Sequence, residues 1–532
     1  MFNFSRRDFL SHIGRTAGSA VALEAMAALG LAPKSSYAGA PNLAGAKPGT
    51  SVLILGAGLA GMVAAYELTK AGYNVQILEY STRVGGRCWS LRGGDQFTEL
   101  GGEEQICRFD PGNYFNPGPW RIPVYHYGVL DYCKKLGVSL QPFIQTNYNA
   151  YVHSSTAFDG KPQRYRHVQS DYQGYVAELL AKTVDQGSLN QQMSREDCDV
   201  LLESLKGWGA LDAQYRYREN ELTSARRGFD VWPGGGLMPE AVSSKPLEMQ
   251  ALFKSRFWKN IAVNFEVEHH MTMFQPVGGM DMIAKAFERE VGHLIQRQAK
   301  VVSIEQDNRG VSVQYQDMAN GGVMARAQAE WCLCTIPASI LGQMSIQVSS
   351  EMLSAIGALH YDSATKIGLQ FKRRFWEEDE QIYGGISYTD LPIKLISYPS
   401  SDQWSSGSGV LLGGYCFGPE SYMFTAMTPA ERIKWALEHG ALIHSQYKSE
   451  FQNGMAVSWH RVPTTLGCYA MWTPELRAKH YQNLCQVDGR IALAGEHASY
   501  LPAWQEGAVL SSLDAISRLH ATVIKKASHA TF

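Results

Sequence analysis

The stretch from Ser51 to Glu79, SVLILGAGLAGMVAAYELTKAGYNVQILE, constrains the fold of this chain more than any other part of it. An apolar run reads as a strand, a glycine turn ends it, a helical segment follows, and a second strand closes on Glu79. In such a unit Gly56 allows the tight turn, Gly58 lets backbone approach a pyrophosphate, and Gly61 lets the helix pack on the strand. The phosphates then sit at the helix N-terminus, whose first N–H groups have no partner inside the helix. Glu79 follows about 20 residues after the glycines, where a carboxylate accepts hydrogen bonds from an adenosine ribose. Together these features predict a parallel α/β sheet that holds a dinucleotide.

With 532 residues, 45% hydrophobic and 18% charged, the chain is long enough for two or three interlocked globular units. A formal charge of −2 argues against a nucleic-acid surface, which needs a dense Lys/Arg field. There is no long charge run, low-complexity tract or short repeat. The nine cysteines are an odd number and scattered without CxxC pairs, so neither a zinc site nor a disulfide framework is indicated, and no metal is expected. Near the N-terminus, SRRDFL (Ser5 to Leu10) sets twin arginines ahead of a modestly apolar run and resembles a twin-arginine (Tat) export signal. The apolar stretch from Ala17 to Ala32 contains Glu24 and is too short for stable membrane insertion. Cleavage fits after SYA (Ser36 to Ala38), with AGA (Ala38 to Ala40) as the other choice. The expectation is a leader over 1–38, passage through the Tat machinery, and a periplasmic or secreted protein. An ordinary basic amphipathic N-terminus is the plainer reading. Tat cargo folds before export, often around a cofactor, which agrees with the dinucleotide unit.

Directly after the ribose acid, STRVGGRCWS (Ser81 to Ser90) carries the pattern Arg83-x-Gly85-Gly86-Arg87. Physically it reads as a second phosphate-facing loop, opened by Gly85 and Gly86, with Arg87 supplying charge-assisted hydrogen bonds. In this position it resembles the flavin-containing amine oxidases and favours FAD over NAD. Near the other end, GRIALAGEHASYLPAWQEGAVLSSLDAISRL (Gly489 to Leu519) reads as a strand, a turn at Gly495 carrying Glu496, a loop, and a helix opening on Gly507, Ala508 and Val509. Small residues there let a helix N-terminus approach a flavin and offer N–H groups to its pyrimidine edge. This segment too resembles the amine oxidases, and a dinucleotide site made from both ends of a chain implies a substrate domain between them.

The middle carries further resemblances. FQPVGGMDMIAKAF (Phe274 to Phe287), AKVVSIEQDNRGVSVQYQD (Ala299 to Asp317) and CLCTIPASIL (Cys332 to Leu341) are similar to the family's return to the FAD domain. TKIGLQFKRRFWEEDEQIYGGISYTDLP (Thr365 to Pro392) and GPWRIP (Gly118 to Pro123) look most like L-amino-acid oxidases within the family. The resemblance implies an α/β fold: an FAD-binding Rossmann-like domain of the glutathione reductase type, an interleaved α+β substrate domain and a helical insertion. The expected division is FAD domain over 51–105, 271–345 and 485–525, substrate domain over 106–164 and 346–484, and helical insertion over 165–270. The insertion is expected to shape substrate access, although the same sequence suits a dimer face; homodimers are common in the family and have no decisive local mark here.

Carried over position by position, the resemblance assigns roles to individual residues. Arg121 matches the arginine that receives the substrate α-carboxylate; a bidentate guanidinium fork in apolar surroundings suits that, and an internal ion pair is the structural alternative. Lys366 matches the lysine that holds a water beside flavin N5, against the alternative of an edge-strand lysine facing solvent. Trp504 and Tyr469 match the two walls of an aromatic cage, and Tyr415 a second hydrogen bond to the carboxylate, with ordinary core packing as the alternative for the aromatic rings. Gly56, Gly58, Ala60, Gly61, Glu79, Gly86, Arg87, Gly118, Trp120, Arg121, Val302, Trp459, Gly495, Glu496, Trp504, Gly507, Ala508 and Val509 match the FAD-contact set. Cys468 departs from the L-amino-acid oxidases: it stands where monoamine oxidases bond covalently to the flavin, although a buried apolar thiol is the commoner fate of a cysteine.

The implied activity is FAD-dependent oxidative deamination of an L-amino acid to a 2-oxo acid, ammonia and hydrogen peroxide. Hydride passes from Cα to flavin N5, and dioxygen is the second substrate. No catalytic histidine is required, and the pair His269 and His270 reads as part of an exposed segment entering the FAD domain. Three other readings stay open: a monoamine or polyamine oxidase, which an acid-lined entrance would favour; an oxidative decarboxylase (monooxygenase) using the same site; and a flavin electron-transfer subunit that makes no peroxide.

Overall fold

A computed structural model describes residues 37–269 and 271–530. The expected leader lies outside the described residues except for its last two positions, and of these Tyr37 is buried, its hydroxyl donating to Asp131 on the helix Tyr127–Lys135.

The dinucleotide unit forms where the glycine pattern places it. Ser51–Leu55 and Asn74–Leu78 pair in parallel, Val52 opposite Val75 and Leu55 opposite Leu78, with the helix Leu59–Lys70 joining them. Trp331–Cys334 joins the other side of Ser51–Leu55, and Ile491–Leu493 lies beyond it, both parallel. The sheet runs Ile295–Gln296, Asn74–Leu78, Ser51–Leu55, Trp331–Cys334, Ile491–Leu493, Val487–Asp488, so widely separated stretches of chain build one sheet.

Both faces of this sheet are covered, because alternate residues of a strand point to opposite sides. Val52 and Ile54 join Met62, Val63, Ile516 and Leu519 in an apolar cluster on the helical side. Leu53 and Leu55 join Val301, Ile304 and Val313 on the other. That second layer is a four-stranded sheet of Ala299–Gln306, Val311–Asp317, Val323–Ala329 and Ser345–Ile346. Close packing at the first turn depends on Gly61, where a Cβ would stand 2.0 Å from the Gly56 carbonyl oxygen. The long C-terminal helix Gln505–Ala530 docks against the same turn, the Ser512 hydroxyl donating to the Ala60 carbonyl at 2.7 Å. It begins two residues earlier than the sequence predicts and runs well past Leu519.

A mixed seven-stranded sheet forms the second body of the molecule, in the order Gln163–Arg164, Tyr151–His153, Ile386–Thr389, Leu395–Ser397, Gly409–Phe417, Ala364–Phe371, Phe451–Ser458. Every residue of Ala364–Phe371 is buried. Ile367, Leu369 and Phe371 pack with Phe375, Trp376 and Tyr447 on one face. Ala364 packs with Phe115 and Trp459 on the other, and the two-residue period sets Lys366 on that side too.

Helices Tyr165–Asp185, Arg195–Gly209, Glu221–Arg227, Met249–Ser255 and Trp258–Ala262 make the insertion. Its interior is held by Asp171, which accepts from Arg227 Nε at 2.9 Å, the Tyr217 hydroxyl at 2.7 Å and the Leu247 N–H at 2.7 Å. All nine cysteines are free thiols. Among the described residues no helix is long and apolar enough to cross a membrane, and no cluster of His, Cys, Asp and Glu could hold a metal ion.

Gly61→Ala forces its new methyl into the Gly56 carbonyl and drives the helix off the strand. It is expected to cost at least about 2–3 kcal/mol of stability and to lower the flavin content. Thermal melts and the ratio of flavin to protein absorbance check this; a wild-type melt with full flavin would show that the contact does not govern the turn.

Candidate active site

A cavity of about 970 Å³ lies where the two bodies meet. The dinucleotide unit contributes Gly56, Gly58, Ala60, Glu79, Gly86 and Arg87 to its walls, the four-stranded sheet Val302, and the C-terminal segment Gly495, Glu496, Trp504 and Ala508. Gly118, Trp120, Arg121, Lys366, Tyr415, Trp459, Cys468 and Tyr469 complete the walls. Three expected contact residues do not line it. Gly61 is spent on helix–strand packing. Gly507 lies against the Leu501 carbonyl, where a Cβ would come within 2.1 Å, and Val509 points into the core. Successive helical residues are turned about 100° apart, so a single helix face admits Ala508 alone of the three.

At the dinucleotide end the backbone is bare. A Cβ on Gly58 would meet nothing within 4 Å, and the helix that follows has no side-chain cap on its first N–H groups. Gly56 holds the turn at φ 102°, its N–H donating to the Leu78 carbonyl at 2.8 Å. Glu79 is buried and accepts from the Ala57 and Ser81 N–H groups, each at 2.7 Å, which leaves other lone pairs for ribose hydroxyls.

The two loop arginines do work the sequence did not assign. Arg83 donates to the Gly86 carbonyl at 2.7 Å and lies 4.3 Å over the Trp89 ring, so it braces the loop from behind. Arg87, expected to face phosphate, lines the cavity, and its Nη1 pairs with Glu496 at 2.7 Å and donates to the Cys468 carbonyl at 2.8 Å. Desolvation alone would lower its pKa, but the Glu496 carboxylate reverses the sign and raises it. Both contacts are made by Nη1, so Arg87 keeps donors for a cofactor beside the helix N-terminus.

The second sheet aligns the other end. Lys366 stands opposite Tyr415 and Val457 in register and is 1% exposed. Its Nζ donates to the Gly118 carbonyl at 2.5 Å and lies 4.4 Å from the Tyr415 ring centroid and 4.8 Å from that of Trp120. Burial lowers its pKa to about 7, with Arg121 pushing in the same direction. Trp459 fixes the loop beneath, its indole N–H donating to the Pro117 carbonyl at 2.7 Å, and a Cβ on Gly118 would strike the Arg87 carbonyl at 1.9 Å.

Tyr469 lies on the cavity with its hydroxyl on Asp362 at 3.1 Å; the Asp362 N–H in turn donates to the Tyr469 carbonyl at 3.0 Å. Trp504 stands edge-on to His126 at 4.9 Å, and burial lowers the pKa of that histidine to about 4, so it is neutral. The Cys468 thiol faces the cavity and is held neutral, burial pushing it up to about 12.

Arg121 is a half-buried cation on the cavity wall among neutral groups. Its Nη1 donates to Gln145 Oε1 at 2.8 Å, its Nε has no partner, and its guanidinium lies 4.9 Å from the Trp120 ring and 5.9 Å from that of Trp504. Desolvation lowers its pKa. No carboxylate forms an ion pair with it among the described residues. Glu266, itself 2.9 Å from His269, acts on it only from further away.

Gln145, Tyr388 and His269 also line the cavity and were not picked out by sequence. His269 lies in a segment that is exposed at Phe265 and Val267, as expected, and it also lines the cavity, its ring 6.5 Å from Trp504. His270 lies outside the described residues. Tyr388 had a legible signal, since Ile386 and Tyr388 share one face of Ile386–Thr389 and both reach the cavity.

Residues 59–519 match the family described as flavin containing amine oxidoreductase, and the chain belongs to that family. YobN of Bacillus subtilis (strain 168) is 30% identical over 481 residues, covering 87% of this chain and 93% of that one. The L-amino-acid oxidases of Siganus canaliculatus and Bungarus fasciatus are each 28% identical, covering 88% and 87% of this chain and 85% of theirs. Among solved structures, cyclohexylamine oxidase from Brevibacterium oxydans IH-35A superposes with a TM-score of 0.57 at 15% identity, over 90% of this chain and 100% of that one. Putrescine oxidase bound to putrescine does so with the same score, identity and coverage. The cofactor is FAD, and the cavity fits it: a glycine cradle at an uncapped helix end, a ribose acid with lone pairs to spare, and one continuous space on to Lys366 and Trp504.

The lowered pKa of Lys366 has a thermodynamic sign. Between about 7 and 10.5 the unfolded chain keeps a proton that the folded chain has released, so folding stability contributed by this group rises with pH across that window. Chemical denaturation of wild type and Lys366→Met at pH 7 and pH 9 is expected to show the rise in wild type and a flatter response in the variant. Parallel pH responses would mean that Lys366 stays charged in the fold.

Proposed function

We propose that this flavoenzyme is an L-amino-acid oxidase that converts its substrate to a 2-oxo acid, ammonia and hydrogen peroxide. The observation that carries this reading is Arg121: a half-buried guanidinium on the cavity wall, its Nη1 held by Gln145, and left without a carboxylate ion pair among the described residues. A buried cation without an anion is costly, and a substrate carboxylate removes that cost through charge-assisted hydrogen bonds. The carboxylates that do line the cavity, Glu79 and Glu496, are held by backbone N–H groups and by Arg87, so no acid-lined pocket stands ready for a polyamine among the described residues. The names of the Siganus and Bungarus relatives support an amino acid of L configuration.

In this reading Gln145 holds Arg121 by one nitrogen while the remaining donors take the carboxylate. Trp504 and Tyr469 confine the substrate, and Val263, Ile386 and Leu395 offer apolar walls to its side chain. Lys366, with a pKa near neutrality, can hold a water or move a proton at Nζ. Bound FAD supplies the two-electron acceptor. The substrate loses two hydrogens as its C–N bond becomes an imine, water hydrolyses the imine, and dioxygen is reduced to peroxide; positioning supplies much of the rate. We further propose export of the folded holoenzyme on the strength of the twin arginines Arg6 and Arg7.

The test is peroxide release against L-amino acids, their D-enantiomers and the decarboxylated amines, with the organic product identified. Peroxide and 2-oxo acid from L-amino acids alone support the reading. Oxidation of amines alone, or recovery of an amide one carbon shorter, would overturn it. Arg121→Met is expected to lower kcat/KM for the amino acid by about 2–4 kcal/mol of lost pairing, mainly through KM, with flavin retained. Unchanged kinetics in that variant would take Arg121 out of the substrate site.

A further inference from the structure

The segment ahead of the first strand is built into the dinucleotide body. Tyr37 is 3% exposed and belongs to the apolar cluster that also contains Val129, Tyr132 and Leu519. Its hydroxyl donates to Asp131 Oδ2, which Lys135 also approaches at 2.7 Å. Burial raises the pKa of the phenol, and Asp131, Glu67 and Glu506 push it the same way, so the group is a neutral donor. Glu506 in turn accepts from the Gly128 and Val129 N–H groups, each at 2.8 Å, at the start of the helix that carries Asp131. Further along, Leu43 is buried, a Cβ on Gly45 would stand 3.7 Å from Ile524 of the C-terminal helix, and the Gly49 N–H donates to the Gly72 carbonyl at 3.0 Å. Both cleavage positions expected from sequence, after Ala38 and after Ala40, fall just past this buried tyrosine. A cut at either severs Tyr37 from the enzyme. At the first, a peptidase that grips the residues before the cut in extended form has to draw Tyr37 out of the core.

We infer that the segment 37–50 is a structural strap of the folded enzyme, latched by Tyr37, and that any removal of the export leader takes place upstream of Tyr37 and not after Ala38 or Ala40. The processing half of the inference rests on the proposed export; the strap half does not. In that export reading the enzyme folds before it is translocated, so Tyr37 is docked before a peptidase meets it. The step itself is hydrolysis of one peptide bond by water, and its position along the chain is what the docked tyrosine decides. Loss of Tyr37 leaves the space of a phenol ring in the core and takes a donor from the Asp131 carboxylate.

The experiment uses the full chain, purified with its flavin, its Tyr37→Ala and Tyr37→Phe variants, and chains that begin at Ser36 and at Gly39. Melting is followed by flavin fluorescence. The Ser36 chain is expected to melt with the full chain, Tyr37→Ala and the Gly39 chain several degrees lower, and Tyr37→Phe in between, because it keeps the ring and loses the hydroxyl. Equal melting of the full chain, Tyr37→Ala and the Gly39 chain overturns the strap. Should the Gly39 chain not fold, Tyr37→Ala, which keeps the whole backbone, decides: a wild-type melt in that variant overturns the strap. The second readout is the intact mass of enzyme recovered outside the cytoplasm of a host with a working twin-arginine pathway. An N-terminus at or before Tyr37 supports the inference, and one at Gly39 or Pro41 overturns it. Enzyme retained in the cytoplasm whether or not Arg6 and Arg7 are both replaced by Lys overturns the export reading instead, and the melts then decide the strap on their own.

Discussion

Arg87 and Glu496 meet at 2.7 Å across 409 residues of sequence, and the cavity walls are referred to that contact. The guanidinium also takes the carbonyl of Cys468, and the carboxylate also takes the N–H groups of Ala470 and Ala503, both at 3.2 Å. One ion pair therefore ties the glycine loop, the segment carrying Cys468 and Tyr469, and the loop leading to Trp504. Removing either partner would strand a buried charge at a cost of about 3–5 kcal/mol, which is why such a pair sets geometry more than it adds stability. The Ser512 hydroxyl on the Ala60 carbonyl repeats the tie one turn away.

That arrangement divides the cavity electrostatically. At the dinucleotide end, negative groups are balanced inside the protein and bare backbone N–H groups face the space where phosphate would lie. At the other end stand two cations, Arg121 and Lys366, whose neighbours are carbonyls, an amide and aromatic rings. Burial lowers the pKa of both, and Arg121 pushes that of Lys366 further down. A carboxylate bound at Arg121 would weaken that repulsion and draw a proton toward Lys366.

The helix–turn geometry was legible because local rules produce it. Gly56 takes the turn and Gly61 the close helix–strand contact that their spacing demands, and Glu79, read as a ribose acid, also accepts from the loop N–H groups of Ala57 and Ser81. Lys366 was legible as a costly lysine in an apolar strand, and the strand proves buried along its whole length. Arg87 was legible as an arginine of the cavity wall, but its pairing with Glu496, brought from the far end of the chain, was not. Gly507 and Val509 do not line the cavity, since a helix turns about 100° per residue and a short motif does not say which face it presents. His269 was lost for a similar reason: a polar residue beside a helical insertion has no local mark that separates solvent from cavity.

The sequence by itself determined the dinucleotide unit, the family likeness and the residue types of the site, since strand alternation, glycine turns and motif spacing act over a few residues. Tertiary structure decided which charges are engaged and which are free. Arg121 and Gln145 meet from separate loops 24 residues apart, and Arg87 and Glu496 across 409. Whether a buried donor has an acceptor is a property of the assembled volume, because desolvation and pairing are set by everything packed around the group and not by its neighbours in the chain.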